Sequence, residues 1–198
     1  MIRQDAVMKI GVLALQGAFI EHIRMLKELD LEAQEVRLPH EILGLNGLII
    51  PGGESTAIGK LMASYGLLEP VRRFAEDHAV WGTCAGMILM AKDTGRNQVG
   101  LGIMDITVER NAYGRQVDSF EEDVIADLLR GGRQRPFPGI FIRAPRLVAV
   151  RGSARVIASL ADGTAVAACQ GRWLATAFHP ELSNDIRFHQ YFVEVACS

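Results

Sequence analysis

Three cysteines in 198 residues, with no CxxC pair among them, are too few and too irregularly spaced for a disulfide framework or a zinc site. They fit a reducing compartment, and the chain reads as cytoplasmic, with no metal expected. A surplus of one charge is also missing. The 21 Lys and Arg residues nearly balance 23 Asp and Glu, for a net charge of -2, which leaves no electrostatic footprint for nucleic acid. No apolar run reaches the roughly 18 residues that a membrane span requires. The stretch "MKIGVLALQGAF" (8–19) is too short for a signal-peptide core, has no small-x-small cleavage site, and runs straight into "IEHIRMLKELD". Linker-like composition, repeats and low-complexity tracts are absent as well. With 49% apolar and 22% charged residues, the composition is that of a globular protein. The expected organisation is one domain over residues 8–198, with residues 1–7 as an N-terminal extension.

Along the chain, "KIGVLAL" (9–15) is continuously apolar, as in a strand covered on both faces. A helix follows, with Phe19, Ile23, Leu26 and Leu29 at helical spacing. "EAQEVRL" and "GLIIPGG" supply two more strands, the second after the turn pair Asn46-Gly47. Helices are expected over 56–65 and 69–77, then a strand over 79–83 and another helix from 85. Such alternation implies an α/β fold whose central sheet is mostly parallel. The second half consists of short segments, "DITVER", "GIFIRAP", "LVAVRG", "ARVIASL", "TAVAACQG" and "RWLATAFH", which read as hairpins and edge strands added antiparallel. A last helix is expected over 185–196. The segment 128–139, "LLRGGRQRPFPG", concentrates glycine, proline and arginine and is the expected flexible piece.

One stretch asks for more than a structural account. In "WGTCAGMIL" (81–89), Cys84 stands between Gly82 and Gly86 where an apolar strand gives way to a helix. That is the form of a nucleophile elbow, with cysteine in the central position. Glycines are needed because the strained turn brings neighbouring backbone close. The helix N-terminus next to the sulphur favours thiolate, the nucleophilic form. Cys169 and Cys197 lack this frame and are expected to be small buried hydrophobes.

A nucleophile of this kind needs a base and a group to orient it, and "FHPEL" (178–182) offers both. Pro180 biases His179 toward an extended conformation, which would place His179 and Glu181 on one face. The carboxylate could then hold the imidazole's tautomer and stabilise its cation. The third element, "PGGEST" (51–56), follows the strand "GLII" but lacks the GK[ST] ending of a phosphate loop. It supplies backbone N–H groups suited to an oxyanion or a carboxylate. Cysteine elbow, His-Pro-Glu and donor loop together specify acyl transfer through a thioester. His22, His40, His78 and His189 have no such neighbours and are expected to be structural or exposed. Trp81, Met87, Met90 and Trp173 are expected in the core, Glu121, Glu122 and Asp123 on a solvated face, and Arg130, Arg133 and Arg135 on an exposed loop.

These motifs, in this order, resemble the class I glutamine amidotransferases, a family with a Cys-His-Glu glutaminase site. "GVLALQGAFIEH", "PGGESTAIGKLM", "GTCAGMILMAK", "VERNAYGRQVDSFE", "GIFIRAP" and "FHPEL" are further similar to the glutaminase subunits of pyridoxal phosphate synthases of the deoxyxylulose-independent vitamin B6 pathway. The resemblance covers nearly all of the chain from Met8 onward. It implies a flavodoxin-like three-layer fold and hydrolysis of L-glutamine to L-glutamate and ammonia. Cys84 would be the nucleophile, His179 the base and acid, and Glu181 its orienting partner. The N–H groups of Gly53 and Ala85 would form the oxyanion hole, and Gly53, Glu54, Ser55, Arg110, Ile142 and Arg143 would bind glutamine. Gln16 and Gly17 would form a loop coupled to the partner. That partner would be a synthase subunit in a large hetero-oligomer; pyridoxal phosphate would be its product, so no cofactor is expected here. A glutaminase serving another synthase, and a non-catalytic module on the same fold, are the alternatives.

Overall fold

The computed structural model describes residues 8–110 and 119–197. Strands and helices alternate through the first half. β1 (Lys9–Leu13) leads to α1 (Phe19–Glu28), β2 (Glu32–Val36), β3 (Gly47–Ile50), α2 (Ser55–Ser64), α3 (Leu68–Asp77), β4 (Ala79–Thr83) and the short α4 (Ala85–Met90). The rest is strand-rich: β5 (Ala91–Asp93), β6 (Met104–Glu109), β7 (Ser119–Val124), β8 (Phe137–Ile142), β9 (Arg146–Val150), β10 (Arg155–Ser159), β11 (Ala165–Gln170) and β12 (Trp173–Thr176). α5 (Arg187–Cys197) follows. β5 and β7 were not anticipated from the sequence. Residues 111–118, in the middle of "VERNAYGRQVDSFE", lie outside the described residues, as do residues 1–7, expected to be an N-terminal extension.

The main sheet has seven strands in the order β10-β11-β12-β4-β3-β1-β2. β2, β1, β3, β4 and β12 run parallel, and β11 and β10 are added antiparallel at one edge. Every residue of β3 and β4 is buried, which is why both read as unbroken apolar runs. β2, at the opposite edge, fully buries only Val36. From β1 the chain steps outward to β2 and returns on the other side of β1 as β3. Such a reversal opens a crevice at the carboxyl ends of the strands. The loops after β1, β3, β4 and β12 all leave from that end, and they carry Gln16, Gly53, Cys84 and His179 respectively.

α1 and α5 pack over Trp81 of β4. The indole ring lies 5.6 Å from the ring of His22, 4.9 Å from that of His189 and 5.5 Å from that of Phe192. α1 buries His22, Met25 and Leu26, while α5 buries Phe188, His189 and Phe192. Glu121, Glu122 and Asp123 are exposed on the β7–β8 hairpin, as expected.

Two expectations are corrected. Segment 128–139 is tied down rather than free: the buried guanidinium of Arg187 donates to the carbonyls of Arg130, Arg135 and Pro136 at 3.0, 2.7 and 3.0 Å. Arg130, Arg133 and Arg135 themselves are exposed. Cys197 is exposed, unlike buried Cys169, because it falls in the last turn of α5 beyond the helix's packed face. No described helix is long and apolar enough to cross a membrane.

Candidate active site

Cys84 joins β4 to α4 with φ 46° and ψ −99°, a strained conformation for a residue with a side chain. The flanking glycines are explained by close approach. A Cβ on Gly86 would collide with the carbonyl oxygen of Ile50, and one on Gly82 with the backbone of Gly86. The corner is fixed by the Cys84 N–H, which donates to the Thr176 carbonyl at 2.8 Å. Sγ lies 3.8 Å from the Ile142 carbonyl oxygen.

His179 comes to Cys84 from the loop after β12, and a Cβ on Gly52 would meet both its imidazole and the Cys84 Cβ, so the two side chains stand side by side. Its backbone N–H donates to the Ile140 carbonyl at 2.8 Å, which ties it to β8. Nδ1 lies 2.7 Å from Glu181 Oε1, so Nδ1–H donates to the carboxylate and Nε2 is left for the sulphur. Cys84, His179 and Glu181 are 6%, 7% and 0% exposed, so little of the sulphur and imidazole meets solvent. The contact between His179 and Glu181 does not arise from an extended chain. Pro180–Leu182 form a 3-10 turn, with Leu182 N–H donating to the His179 carbonyl at 3.2 Å. Proline at the first helical position starts this turn, and the turn curls the carboxylate back onto the imidazole. Burial alone would lower the pKa of His179. The hydrogen bonds and charges of Cys84 and Glu181 outweigh it and push the value up to about 10.

The donor loop after β3 sits beside the elbow. The N–H groups of Gly53 and Ala85 donate to no acceptor among the described residues. Gly17, at φ 98°, lies so close to Gly52 that a Cβ would overlap the Gly52 carbonyl oxygen. The loop after β1 is pinned to the donor loop twice: Ala18 N–H donates to the Gly52 carbonyl at 3.1 Å, and Gln16 Oε1 accepts from Glu54 N–H at 2.8 Å.

The remaining sequence-derived positions converge on the same edge with different degrees of freedom. Glu54 caps α2, accepting from the N–H groups of Thr56 and Ala57 at 3.0 and 2.7 Å. Arg110 donates to Glu54 Oε1 at 3.1 Å, to Thr56 Oγ1 at 3.0 Å and to Gln98 Oε1 at 3.0 Å. Arg110 thus has Glu54 as its anionic partner. Ser55 is buried, and its Oγ has no hydrogen-bond partner among the described residues. Ile142 lies against the nucleophile. Arg143, next to it, has φ 43° and an exposed guanidinium with no ion pair among the described residues.

Two buried histidines were missed as members of this neighbourhood. His22 Nε2 lies 3.3 Å from Glu181 Oε2, and its Nδ1 lies 2.9 Å from His189 Nε2. Burial lowers the pKa of both, that of His189 to about 3. A signal was available: each sits in the apolar stripe of its helix, His22 between Phe19 and Leu26, His189 between Phe188 and Phe192.

The arrangement offers a nucleophilic sulphur, a charged proton carrier and two free backbone donors, which suits attack on a carbonyl carbon. Comparisons with known proteins agree. The chain is 53% identical over 191 residues to the pyridoxal 5'-phosphate synthase subunit PdxT of Herpetosiphon aurantiacus, spanning 94% of this chain and 99% of the relative. It is 55% identical over 193 residues to the subunit of the same name from Dehalococcoides mccartyi, spanning 96% and 97%. A crystal structure of a glutamine amidotransferase superimposes with TM-score 0.90 at 47% identity, covering 98% of this chain and all of that one. PurLQS from Thermotoga maritima, at 13% identity and TM-score 0.73 over 96% of this chain and 99% of that one, shares the fold alone. The α/β architecture is thus the class I amidotransferase fold. The SNO glutamine amidotransferase model matches residues 12–198, and with relatives half identical over nearly their full length, the chain belongs to that family.

Proposed function

We infer that this chain hydrolyses L-glutamine to L-glutamate and ammonia, and passes the ammonia to a synthase subunit that makes pyridoxal 5'-phosphate. One observation carries the chemistry: the elbow cysteine stands beside an imidazole whose Nδ1 is held at 2.7 Å by a buried carboxylate. The named relatives carry the pathway. Cys84 sulphur bonds to the side-chain amide carbon of glutamine, and the C–N bond breaks as His179 gives a proton to the departing ammonia. Water then attacks the thioester, His179 takes the proton, and the sulphur is released with glutamate. The Gly53 and Ala85 N–H groups, otherwise unused, stabilise the oxyanion in both steps. Glu181 holds His179 in the tautomer that presents Nε2 to the sulphur.

Glutamine's charged end is bound by the edge that carries Glu54, Ser55, Arg110, Ile142 and Arg143. Among the described residues, Arg143 brings a guanidinium with no competing ion pair, and Ser55 Oγ has no hydrogen-bond partner. Arg110 acts by holding Glu54 and Thr56 in place. The protein works in the cytoplasm within a hetero-oligomer and takes neither nucleic acid nor membrane as partner. Docking of the synthase acts through Gln16 and Gly17, whose contacts with residues 52–54 reach the Gly53 donor.

In the complex with its synthase, Cys84→Ala should abolish ammonia release while the subunits still assemble. Turnover near wild type would overturn the mechanism. Gly17→Val, whose side chain would strike Gly52, should lose the acceleration that the synthase gives. Normal acceleration in that variant would rule out the loop as the coupling element.

A further inference from the structure

The triad uses one oxygen of Glu181. The other, Oε2, is fully buried and receives no hydrogen bond aimed squarely at it. What faces it is Nε2 of His22, 3.3 Å away in the middle of α1. The same nitrogen is 3.3 Å from Thr83 Oγ1, so the Thr83 hydroxyl and the carboxylate both lie within reach of it. The ring is fixed on its other side by His189, and both rings stand edge-on to Trp81.

Hydrogen-bond accounting assigns the tautomers. If His189 donates from Nε2 to His22 Nδ1, then His22 carries its hydrogen on Nε2, toward Oε2, and the only unpartnered atom left on the rings is a bare Nδ1 on His189. The reverse direction would turn a lone pair of His22 toward a carboxylate oxygen and bury an N–H of His189 with no acceptor. Orphaned buried N–H groups are the rarer and costlier outcome. Burial, with the charges of His189 and His179 adding to it, keeps His22 neutral, so the ring carries a single hydrogen, which this tautomer places on Nε2.

We propose that His22, set in its Nε2–H tautomer by His189, is a positioning residue for the Cys84–His179–Glu181 group. It restrains the second oxygen of Glu181 and links that carboxylate to Thr83, the residue before the nucleophile. The torsion that turns a glutamate carboxylate is broad. Held at Oε1 alone, the group could rotate and carry its acceptor away from His179 Nδ1. A second restraint, from a helix packed against the 3-10 turn that bears Glu181, keeps the imidazole aimed at the sulphur.

This inference rests on the glutaminase reading, and the experiment separates the two. Ammonia release from L-glutamine is measured in the complex with the synthase for wild type, His22→Leu and His22→Gln. Leucine should lower kcat about tenfold, the low end of what one hydrogen bond to a charged group is worth, with KM changed less than about twofold. Glutamine, which can place an N–H where Nε2 stood, should recover most of the loss. No turnover by wild type would overturn the glutaminase reading and the inference with it. Active wild type alongside an unimpaired His22→Leu, a change confined to KM, or a Gln variant no better than Leu would overturn the positioning role alone. Should the leucine variant fail to fold, nitrogen NMR of the wild-type imidazoles decides. A protonated Nε2 and bare Nδ1 on His22 are expected; a protonated Nδ1 would overturn the proposal.

Discussion

His179 and His189 both lie in the interior, yet their ionisation is driven in opposite directions. His179 has a carboxylate at 2.7 Å and a sulphur beside it, and its pKa rises to about 10. His189 meets only another neutral histidine and the rings of the α5–β4 interface, and its pKa falls to about 3. Burial acts downward on both; the adjacent acceptors decide the sign. His22 lies between these cases, within reach of the same carboxylate but without a well-aimed hydrogen bond to it, and its pKa is lowered. A buried histidine thus becomes a proton carrier when a negative group accepts directly from its ring. Without one it remains a neutral spacer.

The largest effects should come from removing what makes His179 different. His179→Asn should cut ammonia release about 10²–10⁴-fold, the usual worth of a general acid–base group. Glu181→Gln should be milder, because the amide can still accept from Nδ1–H. It should also bring the His179 pKa down toward that of an ordinary histidine, as proton NMR titration of the ring would show. A Glu181→Gln enzyme whose His179 titrates as in wild type would break the comparison at its root.

The same contrast appears in stability against pH. His179 has a folded pKa above its unfolded value near 6.5, so its contribution is fully present below that value and is lost as pH rises toward 10. His189 has a folded pKa below its unfolded value, so it destabilises the fold as pH falls from 6.5 toward 3. At pH 5.5 the His189 penalty is on the order of 1 kcal/mol, since pH 5.5 lies one unit below the unfolded value and one unit is worth roughly that much. Denaturant melts at pH 8 and pH 5.5 should therefore show a smaller acid-induced loss in His189→Leu than in wild type. An unchanged loss would mean that His189 is not the buried neutral group described. The smallest effect is expected at exposed His40. His40→Gln should shift the unfolding free energy by less than about 0.5 kcal/mol in the same melts.

Legibility followed chain locality. The elbow could be read because its glycines answer contacts within one strand-turn-helix unit and with the next strand, Ile50 against Gly86. The parallel sheet could be read because strands buried on both faces must be apolar throughout, as in "GLII" and "AVWGT". Nearness of His179 to Glu181 is legible in "HPE", but the extended chain that the pattern suggests is not its cause: Pro180 opens a 3-10 turn. The pairing of His22 with His189 spans 167 positions, and no local spacing signals a contact that only the stacking of α1 and α5 on Trp81 creates. The fixed state of 128–139 was hidden for the same reason, since Arg187 lies fifty or more positions away.

That clasp has a consequence for how the protein meets a protease. Arg130 and Arg133 are exposed in a segment whose glycines and arginines would, in a free loop, invite tryptic cleavage. A protease needs an extended stretch of backbone in its cleft, and Arg187, paired with Asp185 at 2.7 Å, holds the carbonyls of residues 130, 135 and 136 in a curled path. Cutting here therefore waits on a local opening of the start of α5. The nick would report the unlatching of one arginine long before the sheet itself comes apart.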